Sequence, residues 1–304
     1  MNDLVSKTRK LAGKMFAGAP AASRKADMTL AHAEIKTPPI FVVGTGRCGT
    51  HFLTAIMEGD DTFQSFHTDT LNVPAADSFA RYALWYDLPI DLEPVRRYRH
   101  ALIVEACNNG KVYFESNAYM SLLSSKLCDW FDARILLLTR KPEAVVNSHV
   151  RKGWYAHIPE RRNNNLAPGL SPGWSPNHAF GRVMPRGEEY EKWLQLTQVG
   201  RVSWWVNALN MRVLEILETL HADAKRVVKV NELDYDKYLD LIEFANGKSP
   251  LDKASFDAIR SDRPGKGPAK RSVADWSKKE YEEFEVQTRP YRELMGYEMP
   301  EFGK

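Results

Sequence analysis

The chain has 304 residues, of which 43% are hydrophobic and 27% are charged, a composition typical of a soluble globular protein. This length suits one large α/β domain or two small ones, and we favour one. The 42 basic and 39 acidic residues give a net charge of +3, which is too balanced to indicate a nucleic-acid partner. The three cysteines, Cys48, Cys107 and Cys128, lack metal-type spacing and form an odd set. They indicate neither a disulfide framework nor a zinc site, and they favour a reducing cytoplasm.

The N-terminal 37 residues mix Lys, Arg, Ala, Ser and Gly without an apolar core of signal-peptide length. Nowhere in the sequence do about eighteen apolar residues run together, so we predict no transmembrane span. We predict a flexible segment over residues 1–37, a single α/β domain over residues 38–304 and a cytoplasmic location. A weak amphipathic helix on a membrane surface is the alternative for the basic start.

A strand, a glycine-rich loop and a helix are predicted over residues 39–57, PIFVVGTGRCGTHFLTAIM. The apolar run at 40–43 is typical of a strand buried on both faces, and apolar residues recur at helical steps after the loop. Gly44, Gly46 and Gly49 allow backbone amides to approach a ligand, and the positive N-terminal end of the helix faces the same place. We therefore predict an anion-binding loop.

Three kinds of site share this glycine spacing. A nucleotide triphosphatase needs Lys and then Ser or Thr after the last glycine, where this chain has Thr50 and His51. A Rossmann dinucleotide site fits the spacing, and Asp69 lies about twenty residues further on, where a ribose-binding acid is expected. Arg47 inside the loop counts against that reading, because it supplies charge to a phosphate or sulfate group.

A second anion site is predicted where the apolar run at 134–139, RILLLT, ends in Arg140. Pro142 then opens a helix that carries Ser148. In a parallel sheet the carboxyl ends of the strands form the edge where ligands bind, so Arg140 is expected to face the same crevice as the first loop. The two sites would then share one ligand.

In these residues the sequence resembles sulfotransferases that use 3′-phosphoadenosine 5′-phosphosulfate (PAPS). The resemblance implies an α/β fold of the P-loop-containing nucleotide-binding type, with a central parallel sheet flanked by helices and a long irregular acceptor loop. It also implies PAPS as donor, 3′-phosphoadenosine 5′-phosphate (PAP) as product, and no metal. It places the 5′-phosphosulfate on the first motif and the 3′-phosphate on Arg140 and Ser148. Many members have Lys where this chain has Arg47. The residues that match the first motif are Gly46, Arg47, Cys48, Gly49, Thr50 and His51.

Three residues are candidates for the base that removes the proton from the acceptor. His67 follows a predicted strand, and imidazole has a pKa suited to this role near neutrality. Asp69 is the reserve candidate. Glu115 follows another predicted strand, at 112–114, and is either a second candidate base or a structural hydrogen-bonding residue.

The irregular stretch 151–190 is predicted to form a loop or lid over the acceptor, since it is rich in Pro, Gly, Asn, Arg and Trp. The aromatic residues Trp154, Tyr155 and Trp174 are suited to stack on a sugar, and the alternative is that they pin the loop to the core. An acidic acceptor would meet the cations of this stretch. We prefer a carbohydrate or glycolipid acceptor on these grounds. The cations are Arg151, Lys152, Arg161 and Arg162.

The late basic loop at 263–271, RPGKGPAKR, corresponds in the resemblance to a segment that closes over the adenosine, which makes Lys270 and Arg271 candidate donor ligands. Elsewhere the periodicity predicts a helix over 202–220, a strand at 226–230, a helix from 235 to about 246 and a final helix capped by Ser277. Two rival functions remain at this point. One is an NAD-dependent oxidoreductase, and the other is a nucleotide-binding protein without catalysis.

Overall fold

The computed structural model describes residues 35–71, 74–158, 163, 165, 180–262 and 271–303. Several predicted features lie outside the described residues: most of the N-terminal segment, most of the late basic loop, and Arg161, Arg162, Trp174 and Lys270.

Strands and helices alternate along the described chain. The strands are β1 (Ile40–Val43), β2 (Phe63–His67), β3 (Val112–Ser116), β4 (Arg134–Thr139) and β5 (Lys225–Lys229). The helices are α1 (Thr50–Glu58), α2 (Pro74–Trp85), α3 (Glu93–Asn108), α4 (Ser124–Phe131), α5 (Pro142–Arg151), α6 (Glu188–Leu194), α7 (Gln198–Glu218), α8 (Tyr235–Phe244), α9 (Lys253–Ser261) and α10 (Lys278–Met295). Short 3₁₀ turns span Ala118–Leu123, Ala222–Ala224 and Val273–Asp275.

Within the described residues the strands form one parallel sheet in the order β2-β3-β1-β4-β5. The predicted α/β class with a central parallel sheet is therefore confirmed. The chain leaves β1 toward β2 on one side and leaves β4 toward β5 on the other. The connections thus diverge beside β1 and β4, and in open α/β sheets ligands bind in the crevice outside the strand ends at such a point.

The sheet is covered on both faces, which explains why its central strands read as continuous apolar runs. Phe41 and Val43 of β1 belong to a large core with residues of α2 to α5, α7 and α10. Ile40 and Val42 belong to a second core with residues of α1, α8 and α9. At the edge of the sheet β5 is less buried, and Val227 is 45% exposed.

Gly44 brings the loop after β1 directly against β4. Its φ is 145°, and a Cβ built on it would lie 2.6 Å from the Leu138 carbonyl oxygen. On its other side the Gly44 amide donates to Ser121 Oγ at 3.0 Å. Any side chain at this position would have to push β1 and β4 apart or tilt the loop.

Replacement of Gly44 by alanine is expected to destabilise the protein more than the same change at Gly110, a matched glycine with φ of 70° and open space around its Cβ position. Both changes place a Cβ in a disfavoured backbone region, at about 1–2 kcal/mol. Gly44→Ala adds a steric clash of about 1–3 kcal/mol. Urea denaturation measures the two free energies of unfolding, and equal losses would contradict the close approach.

Candidate active site

Backbone conformation gives the loop after β1 the features of an anion-binding loop. Four of its six residues have positive φ: Gly44 at 145°, Gly46 at 72°, Arg47 at 57° and Gly49 at 106°. Gly49 precedes α1 without a side-chain cap, and the first turn of α1 carries no acidic residue. The first amides of a helix have no acceptor within it and lie at the positive end of its dipole. The loop and α1 therefore favour a bound anion.

Side chains from β4 and α5 meet this loop. Arg47 Nε donates to Ser148 Oγ at 3.0 Å, although 101 positions separate the two residues. Arg140, which follows β4, donates from Nη1 to the Arg47 carbonyl oxygen at 3.3 Å. Ser148 is 8% exposed. The structure thus brings Arg47, Arg140 and Ser148 together at one edge of the sheet. This is the edge at which the connections after β1 and β4 diverge and a crevice lies between them.

Cys48, one of the predicted donor ligands, contributes no side chain to this site. It is 1% exposed and packs in the core between β1, α1 and α8. Burial raises the pKa of its thiol to about 12, although Arg140 and Arg47 lower it. The thiol therefore stays protonated, and only the backbone of Cys48 remains available to an anion.

His67 lies at the end of β2 beside α1. Its Nε2 is 3.1 Å from Thr50 Oγ1, its Nδ1 is 3.4 Å from Asp69 Oδ2, and its ring stacks on His51 with centroids 3.8 Å apart. The Asp69 amide also donates to Nδ1 at 3.3 Å. The structure therefore places two of the predicted bases, His67 and Asp69, next to two predicted donor ligands, Thr50 and His51.

The environment keeps His67 neutral. Burial of the ring is the largest cause that lowers its pKa, His51 and Arg47 act in the same direction, and Asp69 opposes them; the resulting pKa is about 4. Near pH 7 the imidazole is therefore unprotonated and able to accept a proton. Asp69, by contrast, has a side chain that is 74% exposed.

Glu115 is not available as a base, which corrects that prediction. It is fully buried, and both of its oxygens accept hydrogen bonds: from Arg99 at 2.9 and 3.2 Å, from the Tyr113 hydroxyl at 2.7 Å, and from the Asn117 amide at 2.8 Å. Arg99 also binds both oxygens of Asp77, at 2.7 and 2.5 Å. The role of Glu115 is structural, because it holds β3 to α2 and α3.

The aromatic residues at the start of the predicted lid belong to the core. Tyr155 is fully buried and donates to the Val183 carbonyl oxygen. The Trp154 ring packs 4.2 Å from the His149 ring and 4.5 Å from the Trp205 ring, measured between centroids. Neither is placed to stack on an acceptor, so the alternative of pinning the loop to the core applies to both. Arg151 and Lys152 are exposed.

The segment that follows the late basic loop contacts α5. Trp276 Nε1 donates to Asn147 Oδ1 at 2.8 Å, next to Ser148. Arg271 donates to Glu280 Oε1 at 2.7 Å, so its guanidinium is engaged by the first turn of α10. The predicted cap of α10 by Ser277 is present as a capping box with Glu280.

Sequence reasoning missed two residues that shape the site. Ser121 binds the Gly44 amide from a 3₁₀ turn, and no sequence signal marks a serine in such a turn. His149 follows Ser148 on α5, is 2% exposed, and packs between the rings of Trp154 and Trp205. Its position next to Ser148, in the second predicted anion site, was a sequence signal that could have identified it. Burial, reinforced by Arg47 and Arg81, lowers its pKa to about 3.

Among solved structures, the sulfotransferase STF9 from Mycobacterium avium is similar over 93% of this chain and 82% of its own, with a TM-score of 0.54 and 16% sequence identity. The chain has the sulfotransferase fold. Sulfotransferase domains from the Synechococcus PCC 7002 olefin synthase and from the curacin biosynthetic pathway are less similar. Each domain is 12% identical to this chain and matches 88% of it. The match covers 98% of the olefin synthase domain, with a TM-score of 0.45, and 100% of the curacin domain, with a TM-score of 0.42.

No family model and no curated protein matches the sequence. In the described part of this sulfotransferase-fold chain, none of the helices has the length and apolar character needed to cross a bilayer.

Acid is expected to destabilise the protein through His149. Its pKa is about 3 in the folded chain against an ordinary 6.5, so unfolding takes up a proton between these values. Stability from the neutral ring is complete above pH 6.5 and is lost as the pH falls toward 3, with a slope of at most about 1.4 kcal/mol per pH unit. His149→Phe, which keeps an aromatic ring there, should flatten the dependence of unfolding free energy on pH between 6.5 and 5. The control His221→Phe, at an exposed histidine, should keep the pH dependence of the parent. Equal slopes in the parent and both variants would refute the assignment of this pH dependence to His149.

Proposed function

We propose that the protein transfers a sulfuryl group from PAPS to a hydroxyl or amine of an acceptor and releases PAP. The observation that carries the proposal is the meeting of Arg47, Ser148 and Arg140 at the point where the sheet connections diverge. The sulfotransferase fold supports it.

In this proposal the loop after β1 binds the 5′-phosphosulfate. Its amides, the N-terminal end of α1 and the Arg47 guanidinium supply positive charge to the oxygens of that group. Arg140 and Ser148 bind the 3′-phosphate. The hydrogen bond between Arg47 and Ser148 makes the two anion sites contiguous, so one doubly phosphorylated adenosine can occupy both.

The transfer is an in-line displacement at sulfur. A bond forms between the acceptor oxygen and sulfur while the bond from sulfur to the bridging phosphate oxygen breaks, and PAP leaves with that electron pair. Arg47 and the loop amides stabilise the charge that develops on the leaving phosphate. The acceptor proton passes to the neutral ring of His67, which the contacts with Thr50 and Asp69 hold in place beside α1.

Strand order disfavours the NAD-dependent alternative. In the Rossmann dinucleotide fold β2 is the neighbour of β1, so that the acid after β2 reaches the ribose next to the first loop. Here β3 lies between β1 and β2. Asp69 instead contacts the rings of His51 and His67.

The acceptor is proposed only as a hydroxyl or amine compound. The preference for a carbohydrate or glycolipid relied partly on Trp154 and Tyr155, which pack in the core.

Arg47→Ala and Arg140→Ala are each expected to weaken PAP binding by about 1.5–3 kcal/mol, because each removes charge-assisted hydrogen bonds to a phosphate. Calorimetric titration with PAP measures the loss. The matched control is Arg289→Ala, which removes an exposed cation of α10 that binds Glu285 on its own helix. Unchanged affinity in both site variants would show that the donor binds elsewhere. Thermal shifts with PAP, NAD and ATP test donor identity in the parent, and stabilisation by NAD but not PAP would favour the oxidoreductase.

His67→Gln is expected to keep PAP affinity and to lower turnover about 10²–10⁴-fold, since it removes the proton acceptor while keeping a polar side chain. Release of PAP from PAPS in the presence of a panel of small alcohols and amines measures turnover. The control His221→Gln changes an exposed histidine on the opposite edge of the sheet, before β5. Full turnover by His67→Gln would transfer the role of base to Asp69.

A further inference from the structure

Three potential metal ligands meet at the end of β2, beside the region of the donor phosphates. Asp69 Oδ2 lies 3.6 Å from His51 Nε2 and 3.4 Å from His67 Nδ1. One ligand atom from each of the three residues lies within 4.8 Å of the other two. One carboxylate oxygen is thus shared by two imidazole nitrogens that come from different elements, α1 and the end of β2.

These separations suit tetrahedral coordination. Zinc binds imidazole nitrogen and carboxylate oxygen at about 2.0–2.2 Å, and ligand atoms on a tetrahedron of that size are about 3.3–3.6 Å apart. Both nitrogen-to-oxygen distances fall at this spacing. The side chains of His51 and Asp69 are 51% and 74% exposed, so apart from the stacking of His51 on His67 little packing opposes the rotation that brings all three atoms to one ion.

The least mobile ligand is already oriented. His67 is 11% exposed, and its Nε2 lies 3.1 Å from Thr50 Oγ1, which can accept the Nε2 hydrogen. The lone pair is then on Nδ1, where the ion would displace the hydrogen bond from the Asp69 amide at 3.3 Å. Metal-binding histidines are commonly held in this way, through a hydrogen bond from the other ring nitrogen. The two rings stack with centroids 3.8 Å apart and planes 25° apart, so His51 has to tilt out of this stack for both nitrogen lone pairs to converge on one ion.

We propose that His51 Nε2, His67 Nδ1 and Asp69 Oδ2 bind a divalent transition-metal ion of the zinc class, with water completing the coordination. Two nitrogen ligands select such ions over Mg²⁺ and Ca²⁺, which prefer oxygen. The ion is not a participant in sulfuryl transfer. Bound at Nδ1 of His67, the ion occupies the lone pair that would accept the acceptor proton, and it therefore reversibly blocks the proposed base.

The spacing of the cysteines and the resemblance to sulfotransferases predict no metal. The ligands here are histidines 16 positions apart, His51 and His67, and only the packing of α1 against β2 brings them together. A metal ion that inhibits the enzyme is compatible with a sulfuryl transfer that needs no metal.

Titration of the full chain with Co²⁺ tests the site directly, because a tetrahedral cobalt site absorbs visible light and needs no acceptor or donor for its detection. The parent is expected to bind one Co²⁺ with a visible band, and Zn²⁺ should displace it. His51→Ala and Asp69→Asn should each lower Co²⁺ affinity about tenfold or more. His221→Ala, which removes an exposed histidine at the opposite edge of the sheet, should bind as the parent does.

Equal Co²⁺ affinity in the parent, His51→Ala and Asp69→Asn would overturn the proposal, as would the lack of a visible band in the parent. Circular dichroism confirms that each variant is folded. The inhibitory consequence rests on the proposed function and is measured separately, as the slowing of PAP release by Zn²⁺ and its reversal by a chelator. Metal binding that depends on His51 and Asp69 but leaves turnover unchanged would support the site and would count against His67 as the base.

Discussion

Parallel pairing between β1 and β4 is the constraint on which the candidate site depends. The register sets Val43 opposite Leu137, so the loop after β1 and the turn after β4 leave the sheet at the same edge. Gly44 permits the loop to pass within contact distance of β4, and Arg47 then reaches Ser148 on α5. Arg47 and Ser148 would not meet if the two strands were separated in the sheet. The hydrogen-bonding ladder of two short apolar strands thus determines the geometry of groups about a hundred positions apart.

A buried charge network supports the other side of the site. Arg99 of α3 joins Asp77 of α2 to Glu115 of β3, and the Asn117 amide donates to both carboxylates at 2.8 Å. Buried charges are costly without partners, and losing one member of such a group typically costs about 3–5 kcal/mol. Because Asn117 also caps the 3₁₀ turn that carries Ser121, the network fixes the turn that binds the Gly44 amide. Buried charges outside the candidate site therefore position the backbone of its loop.

The fold and the glycine-rich turn after β1 could be predicted because their signals are local. Apolar runs, glycines and a strand-ending arginine appear within a few positions, and β1, β3, β4 and β5 begin within one residue of prediction, with β5 at 225 instead of 226. The base assignments were harder, because polar residues after β2 and β3 look alike in sequence. Only packing shows that Glu115 is enclosed by Arg99 while His67 lies beside α1. The two alternatives for Trp154 and Tyr155 stay open in the sequence for the same reason, because an aromatic residue in an irregular stretch is compatible with a binding surface or with the core.

The cysteine inside the anion loop has a consequence for redox chemistry. Thiolates, and not thiols, react with peroxides and alkylating reagents. Burial holds the pKa of Cys48 at about 12, so the native loop carries a sulfur atom that is inert to oxidants and to thiol-directed inhibitors. The same sulfur becomes reactive only when the loop and α1 separate from the sheet. Its modification rate therefore reports how often this part of the molecule opens.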